Sequence, residues 1–425
     1  MKSLDSICKL LENRNVFLTG GAGVGKSYMT SQIIEYYKSQ DKNVVTLGST
    51  GVSAVAIGGV TVHSFFIFGI SNSFEELEIN DKKAKHRLNE LKKIIALTDL
   101  IIIDEISMVS TSLLDMIAYR LESMGYNGQV LFVGDFFQLP PVVKYAPKVG
   151  LFEELLYAFE SSAWENFDPV LVELTQMHRT DDVYFTQILS KIRQGICDGE
   201  VLEYLKTLQT NEINPNATYL FGRNNEVEHM NHKKLQELPS KEVMLVAEHK
   251  NLEKVHEKRL ETWQKVLPVS NMLTLKVGAP VLFCINKWGK FANGERGVIK
   301  EIGSDSIIVE KDDGLVKVEP HVFELNEVHP NKDGKLQSVT LATLAQFPLR
   351  LAYAITIHKS QGMSIEHLVC NVDNIFAPSQ FYVAISRATN PKYLKIDFTR
   401  GNFEAYANRI INVDHRVKEY YNSIL

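Results

Sequence analysis

Val16-Phe17-Leu18-Thr19-Gly20-Gly21-Ala22-Gly23-Val24-Gly25-Lys26-Ser27 is the stretch on which the fold turns. Val16–Thr19 reads as a buried strand, the glycines as a tight turn, and the residues from about Lys26 onward as a helix. The spacing G-x-x-x-x-G-K-S therefore stands in the strand–turn–helix setting that phosphate binding requires. Gly21, Gly23, Val24 and Gly25 let backbone N–H groups wrap phosphate oxygens, and the helix start adds a favourable dipole. Lys26 is expected on the β- and γ-phosphates, and the Ser27 hydroxyl on Mg²⁺.

Outward from this stretch, Val44–Leu47, Leu100–Ile103 and Val130–Val133 are short apolar strand candidates interleaved with helical segments. That alternation predicts an α/β fold with a mostly parallel sheet covered on both faces, and ligands at the carboxyl ends of its strands. Asp104 and Glu105 close the third strand; Asp104 is expected to support Mg²⁺ and Glu105 to orient and deprotonate the attacking water. After Val133 comes Gly134-Asp135-Phe136-Phe137-Gln138-Leu139-Pro140-Pro141, whose Gln138 can sense a γ-phosphate or its water through its amide. Arg179, in LTQMHRT, and Arg387, in YVAISRA, are candidates for offsetting charge that builds on the γ-phosphate. These residues together read as an NTPase, with a P-loop small-molecule kinase as the competing class.

The chain has 425 residues, of which 45% are hydrophobic and 23% charged, which excludes wholesale disorder and a fibrous repeat. Its 46 Lys and Arg against 51 Asp and Glu exclude a uniformly basic coat but leave room for a local basic groove. Cys8, Cys197, Cys284 and Cys370 stand singly, without zinc or disulfide spacing. His63 and His358 have no carboxylate or cysteine at ligand spacing and read as hydrogen-bonding groups. No stretch has the apolar length of a membrane helix, and the N-terminus lacks the pattern of a secretion signal, so an intracellular, soluble protein is expected.

Two segments break the α/β pattern. Residues 71–93 are polar, with six Lys or Arg and one Glu between Lys82 and Lys93, and read as an exposed excursion. Residues 294–345 hold GVIKEI, SIIVEK, LVKVEP and SVTLATL, strand candidates of a small antiparallel barrel inserted in a second α/β unit. Five Lys or Arg against one Glu between Lys276 and Lys300 add a local basic excess. Phe65, Phe66 and Phe68 are candidates for base stacking, with core packing favoured for at least two of them. Phe403–Leu425 reads as an amphipathic helix suited to packing against the second unit.

The blocks GGAGVGKS, STGVSAVAIGGVTVHSF, IIIDEISMVS, GDFFQLPPV, LTQMHRT, FANGERGVI, FPLRLAYAITIHKSQGMS and QFYVAISRAT, in this order, resemble the Pif1-like branch of the superfamily 1B DNA helicases. The resemblance runs from residue 16 to about 390. It implies two RecA-like P-loop NTPase domains with ATP and Mg²⁺ between them. The implied layout is a first domain over 1–180 with a wedge insertion at about 64–93. The second domain would cover 181–293 and 350–425, interrupted by an SH3-like β-barrel at 294–349. Implied roles follow the motifs: Lys26, Ser27, Asp104 and Glu105 for the nucleotide, Gln138 for sensing it, and Arg179 and Arg387 for reaching the γ-phosphate. Thr50, Gly51 and His63 would meet DNA on the first domain. Asn293, Thr356, His358, Lys359 and Ser360 would do so on the second, with Gln361 nearer the ATP.

As implied partners, the resemblance gives single-stranded DNA, 5′-tailed duplex and structures such as the G-quadruplex, bound by a chain that is monomeric when free. It implies 5′→3′ unwinding in DNA repair, recombination or telomere maintenance. A RecD-like motor subunit shares the same motifs and stays open as an alternative. One departure stands out. Members of the family usually carry a Gln upstream of the P-loop that reads adenine, whereas no Gln precedes Gln32 here.

Overall fold

The computed structural model describes residues 3–69, 71, 73–141, 148–149, 153–154 and 156–424. Ile70 and Asn72 of the expected wedge, Val142 after the Pro-Pro step, and the terminal Leu425 lie outside the described residues.

Six parallel strands form the first lobe, in the spatial order 60–61, 44–48, 100–104, 129–133, 16–19 and 170–173. Leu100–Ile103 and Val16–Leu18 are wholly buried, as continuous apolar strands covered on both faces must be. The strand 129–133 is interposed between the phosphate-loop strand and the strand that ends in Asp104. Its outgoing segment, Gly134–Pro141, is thereby delivered between the glycine loop and the acids. Four parallel strands make the second lobe, in the order 354–356, 218–221, 368–371 and 394–397. Helices Val183–Arg193, Gly199–Thr210, Gln380–Ile385 and Phe403–Ile410 supply its core with side chains such as Phe185, Leu205, Phe381 and Ala407.

The antiparallel part extends beyond the expected 294–349. A five-stranded sheet runs in the order 314–318, 307–311, 296–302, 280–283 and 349–351. Beside it lie a three-stranded sheet (248–251, 336–346, 321–330) and a ribbon of 243–246 with 272–275. Pro280–Phe283 is fully buried, and such a short apolar run has the same periodicity whether its partners are parallel or antiparallel. That is why the sequence pattern misplaced the boundary.

The polar excursion forms helices Phe74–Lys83 and Lys85–Leu97. Arg120, from the lobe, anchors the first through paired bonds of 2.7 and 2.8 Å to Asp81. Phe65, Phe66 and Phe68 all pack in the first lobe's core, so none of the three is free to stack on a base.

The C-terminal segment is two helices rather than one. Phe403–Ile410 packs on the second lobe as expected, but His415–Ile424 crosses back to the first. There Tyr421 stacks on Phe137 at 4.6 Å and its hydroxyl lies 2.9 Å from Thr19 Oγ1. Tyr420 stacks on Phe159 and accepts from the Trp164 indole. These rings bury a large apolar area against the first lobe, which holds the helix there. Among the described residues no helix is long and apolar enough to cross a membrane.

Candidate functional site

Helix Lys26–Ser39 opens from Gly25, which sits at φ 86° and provides no side-chain cap. The first N–H groups of this helix thus face the cleft without the usual Ser, Thr or Asp acceptor. Glycine is required around them for two reasons. Gly23 is left-handed at φ 84°, and a Cβ there would lie 2.6 Å from Arg179 Cβ. At Gly20, an added Cβ would come 2.3 Å from the Leu174 carbonyl oxygen. The Lys26 ammonium donates to the carbonyls of Gly20 (2.7 Å) and Gly21 (3.0 Å), while burial lowers its pKa against the pull of Asp135 and Glu105. Val24 is buried behind the loop and Ser27 is exposed at its mouth.

Asp104 ends its strand and Glu105 follows in the left-handed region at φ 54°, a conformation that non-glycine residues adopt only when their surroundings enforce it. The kink sends the two carboxylates in different directions. Gln361, from the second lobe, donates its Nε2 to Glu105 Oε2 at 3.1 Å. Burial raises Glu105, opposed by the Lys26 and Arg387 charges; burial and the neighbouring Glu105 push Asp104 up to about 7. The native state therefore keeps a proton on Asp104 that the unfolded chain releases near 4. Stability should fall as pH rises from about 4 to about 7 and the contribution should then level off. Thermal unfolding across this range is expected to show that slope in the wild type, and a shallower one in Asp104→Asn. Identical slopes would contradict it.

Arg387 is 2% exposed and donates Nε to the Val383 carbonyl (2.9 Å) and Nη2 to Ser386 Oγ (3.0 Å). Arg179 donates Nε to Ser364 Oγ (3.0 Å) and Nη1 to the Ser386 carbonyl (2.8 Å). Among the described residues neither guanidinium is paired with a carboxylate. Burial holds both below the ordinary guanidinium range, and the Arg387 charge adds to the effect on Arg179. Two adjacent buried cations with no acid among their hydrogen-bond partners, and Glu105 acting on Arg387 only through space, favour a further anion beside them.

Lys26, Glu105, Arg179 and Arg387, but not Asp104, meet in a cavity of about 270 Å³ lined from the first lobe by Gly23, Lys26, Ser27, Glu105 and Gln138, and from the second by Gly362, Ser364 and Arg387. Gln138 is buried, with its Nε2 3.4 Å from Asp135 Oδ2.

The residues expected at DNA are less uniform. His63 and Gly51 line a larger cleft of about 540 Å³ with Thr61, Arg87, Lys258 and Trp263. Thr50 is spent as a helix cap, accepting from Ser53 N, and a Cβ on Gly51 would meet Val266 at 2.2 Å. Thr356 and Ser360 are buried; Thr356 Oγ1 accepts from Lys359 N, and the Ser360 hydroxyl donates to Ile357 O. They shape the turn, with both side chains buried. Lys359 is exposed, and the half-buried His358 ring lies parallel to the exposed Phe376, 6.2 Å away. Asn293 and Gly294 form a turn, Gly294 at φ 87°, packed so closely that an added Cβ would meet Met363 at 2.9 Å. The 356–360 block does not line the cleft that holds Gly51 and His63.

Three contributors escaped the sequence reading. Tyr382 accepts from the Ala22 N–H through its hydroxyl at 2.8 Å, tying the second lobe to the glycine loop. Ser364 holds Arg179. Arg193 makes a two-pronged ion pair with the buried Asp135. Tyr382 lies inside the YVAISRA block and could have been weighed there; Arg193, a basic residue at a helix end, carries no signal of its own.

The parallel sheets, the interposed strand and the shared cavity define a P-loop NTPase whose phosphate site is completed by a second lobe. A PIF1-like helicase family model matches residues 2–201, and a helicase model matches 294–417. The ATP-dependent DNA helicase Pif1 of Campylobacter jejuni is 42% identical over 432 residues, 98% of this chain and 96% of that protein. The chain belongs to the Pif1 family of DNA helicases. The crystal structure of a Bacteroides Pif1 in complex with ADP-AlF4 aligns with a TM-score of 0.84 at 27% identity, covering 100% of this chain and 96% of that one. A Bacteroides Pif1 bound to ssDNA aligns at 0.66 and 27% identity, covering 99% and 96%.

Proposed function

We propose that this chain couples ATP hydrolysis in the shared cavity to 5′→3′ movement along single-stranded DNA, and so opens duplex or structured DNA. The observation that carries the reading is the Gln361–Glu105 hydrogen bond across the lobes, beside Arg387. A group on the hydrolytic side of the cleft is oriented by a group that moves with the other lobe.

The uncapped helix start, the glycine cradle, Lys26 and the paired acids fit a nucleoside triphosphate with a divalent cation. Ser27 and Asp104 would hold Mg²⁺, which offsets charge on the phosphate oxygens when bound. Backbone N–H groups of 23–27 and the Lys26 ammonium bind the phosphate tail. Glu105 accepts the proton of the attacking water, and Gln361 fixes the carboxylate's orientation. Gln138 bonds the water or the γ-phosphate, and Arg179 and Arg387 stabilise its developing charge. Drawing these arginines toward the tail brings the lobes together; loss of phosphate releases them.

DNA would be held by His63 and Gly51 on the first lobe and by Lys359, His358 and the Asn293–Gly294 turn on the second. The ssDNA complex of a Bacteroides Pif1 supports this class of ligand. Phe376 adds an exposed ring, and base stacking on such a ring contributes about 1–3 kcal/mol. The test compares 5′-tailed with 3′-tailed duplexes, each with ATP and with GTP. Unwinding confined to the 5′ tail is expected, and the GTP arm measures how strictly the base is read. Unwinding from the 3′ tail alone would reject the direction.

A further inference from the structure

We propose that Arg193 is a positioning residue that carries movement of the second lobe to Gln138, by way of Asp135. This inference rests on the reading that DNA and nucleotide act on the same two-lobed cycle.

Asp135 is fully buried, and its carboxylate accepts from both lobes. Within its own turn it takes the Phe137 N–H (3.2 Å) and the Gln138 Nε2 (3.4 Å), and its carbonyl takes the Gln138 N–H (2.8 Å). From the second lobe it takes Arg193 Nε (3.0 Å) and Nη2 (2.9 Å). The remaining arm of Arg193, Nη1, reaches Glu173 at 3.3 Å. Its guanidinium lies 4.8 Å from the Phe137 ring centroid and 6.0 Å from that of Tyr421. Arg193 ends helix Val183–Arg193, whose Phe185, Ile188, Leu189 and Ile192 are core side chains of the second lobe. Its side chain also passes close to the glycine loop, with Cδ 3.7 Å from where a Cβ on Gly21 would stand.

A planar fork locked onto a buried carboxylate cannot slide without leaving that charge unpaired. When the second lobe turns, Arg193 must therefore take Asp135 with it or strain the bond. Asp135 in turn carries Gln138, through two hydrogen bonds only three residues away. Gln138 faces the cavity, so a shift of the far lobe becomes a shift of the amide beside the phosphates. A purely structural pair would stabilise the fold and do nothing else.

The test uses the full chain, oligo(dT) as the DNA, and steady-state ATP turnover with and without it. Wild type is expected to be stimulated. Arg193→Gln is expected to lose at least tenfold of the ratio of stimulated to basal turnover, with KM for ATP changed less than twofold. Arg193→Lys should recover part of the ratio, since it restores charge without the fork. Destabilisation alone lowers the active fraction, reducing both rates equally and leaving their ratio intact. Should Arg193→Gln not fold, the Asp135→Asn/Arg193→Gln chain removes both buried charges together, and the same low ratio is expected from it. A wild-type ratio in either folded variant overturns the proposal. A wild-type chain that DNA fails to stimulate overturns instead the helicase reading on which it rests.

Discussion

Replacing Glu105 by Gln should lower ATP turnover by about 10²–10⁴-fold, the usual contribution of a positioned general base. The substitution keeps size and hydrogen-bonding reach: the Gln oxygen can still accept from Gln361 Nε2, now at 3.1 Å from the carboxylate. The left-handed backbone at 105 is also unchanged, since Gln tolerates it no worse than Glu. What is lost is a basic oxygen. Burial already raises the pKa of Glu105, which makes it a better proton acceptor than an exposed carboxylate, and Lys26 and Arg387 keep the charged form accessible. Nucleotide and DNA binding should persist, because neither the glycine cradle nor the groups proposed to hold DNA are touched. The measurement is single-turnover hydrolysis beside equilibrium binding of a labelled nucleotide. Unaltered turnover would remove Glu105 from the chemistry; lost nucleotide binding would make its role structural.

The second large effect concerns Arg387. Its Ala variant should lower hydrolysis by on the order of 10³-fold, at the lower end of what an arginine finger contributes. The reasoning is electrostatic. Arg387 is 2% exposed and meets only a carbonyl and a hydroxyl, so its charge has no compensating acid among its hydrogen-bond partners. A buried cation of this kind is costly unless an anion arrives. Charge that grows on the γ-phosphate during hydrolysis is the anion best placed to profit, so kcat should suffer far more than KM. Arg387→Lys should not restore the rate, because a point charge lacks the planar fork. Arg179→Ala is expected to behave similarly while also freeing Ser364. The double variant should cost less than the product of the single effects, since both guanidiniums bond Ser386, Arg179 through its carbonyl and Arg387 through its hydroxyl, and both act on one ligand. A raised KM with kcat unchanged would show that Arg387 serves binding alone.

The nucleotide half of the site was legible because its parts are contiguous. Gly20–Ser27 and Asp104-Glu105 each declare themselves within a few residues, and their flanking apolar runs state the strand and helix they need. Tyr382 and Gln361 stood within recognisable blocks, yet nothing local says that one bonds the Ala22 N–H and the other Glu105. The block proposed to hold DNA was legible as residue types only. Thr356 and Ser360 look like phosphate ligands in the chain, and nothing local says that both are buried with a hydrogen bond to the turn they sit in. The aromatic cluster Phe65-Phe66-x-Phe68 has the composition of a stacking platform and the environment of a core.

Local sequence was therefore sufficient for whatever is set by neighbours along the chain: the glycine loop, the paired acids, the alternation of strands and helices, and the two excursions from it. Its reach ended where distance along the chain is large. That His415–Ile424 returns to the first lobe, that Val243–Val246 pairs antiparallel with Met272–Leu275, and that Arg193 seats on Asp135 are all outcomes of competition between surfaces far apart in the chain. Such contacts depend on which buried face or charge finds the better partner once the lobes assemble, and a string of residues carries no record of that comparison.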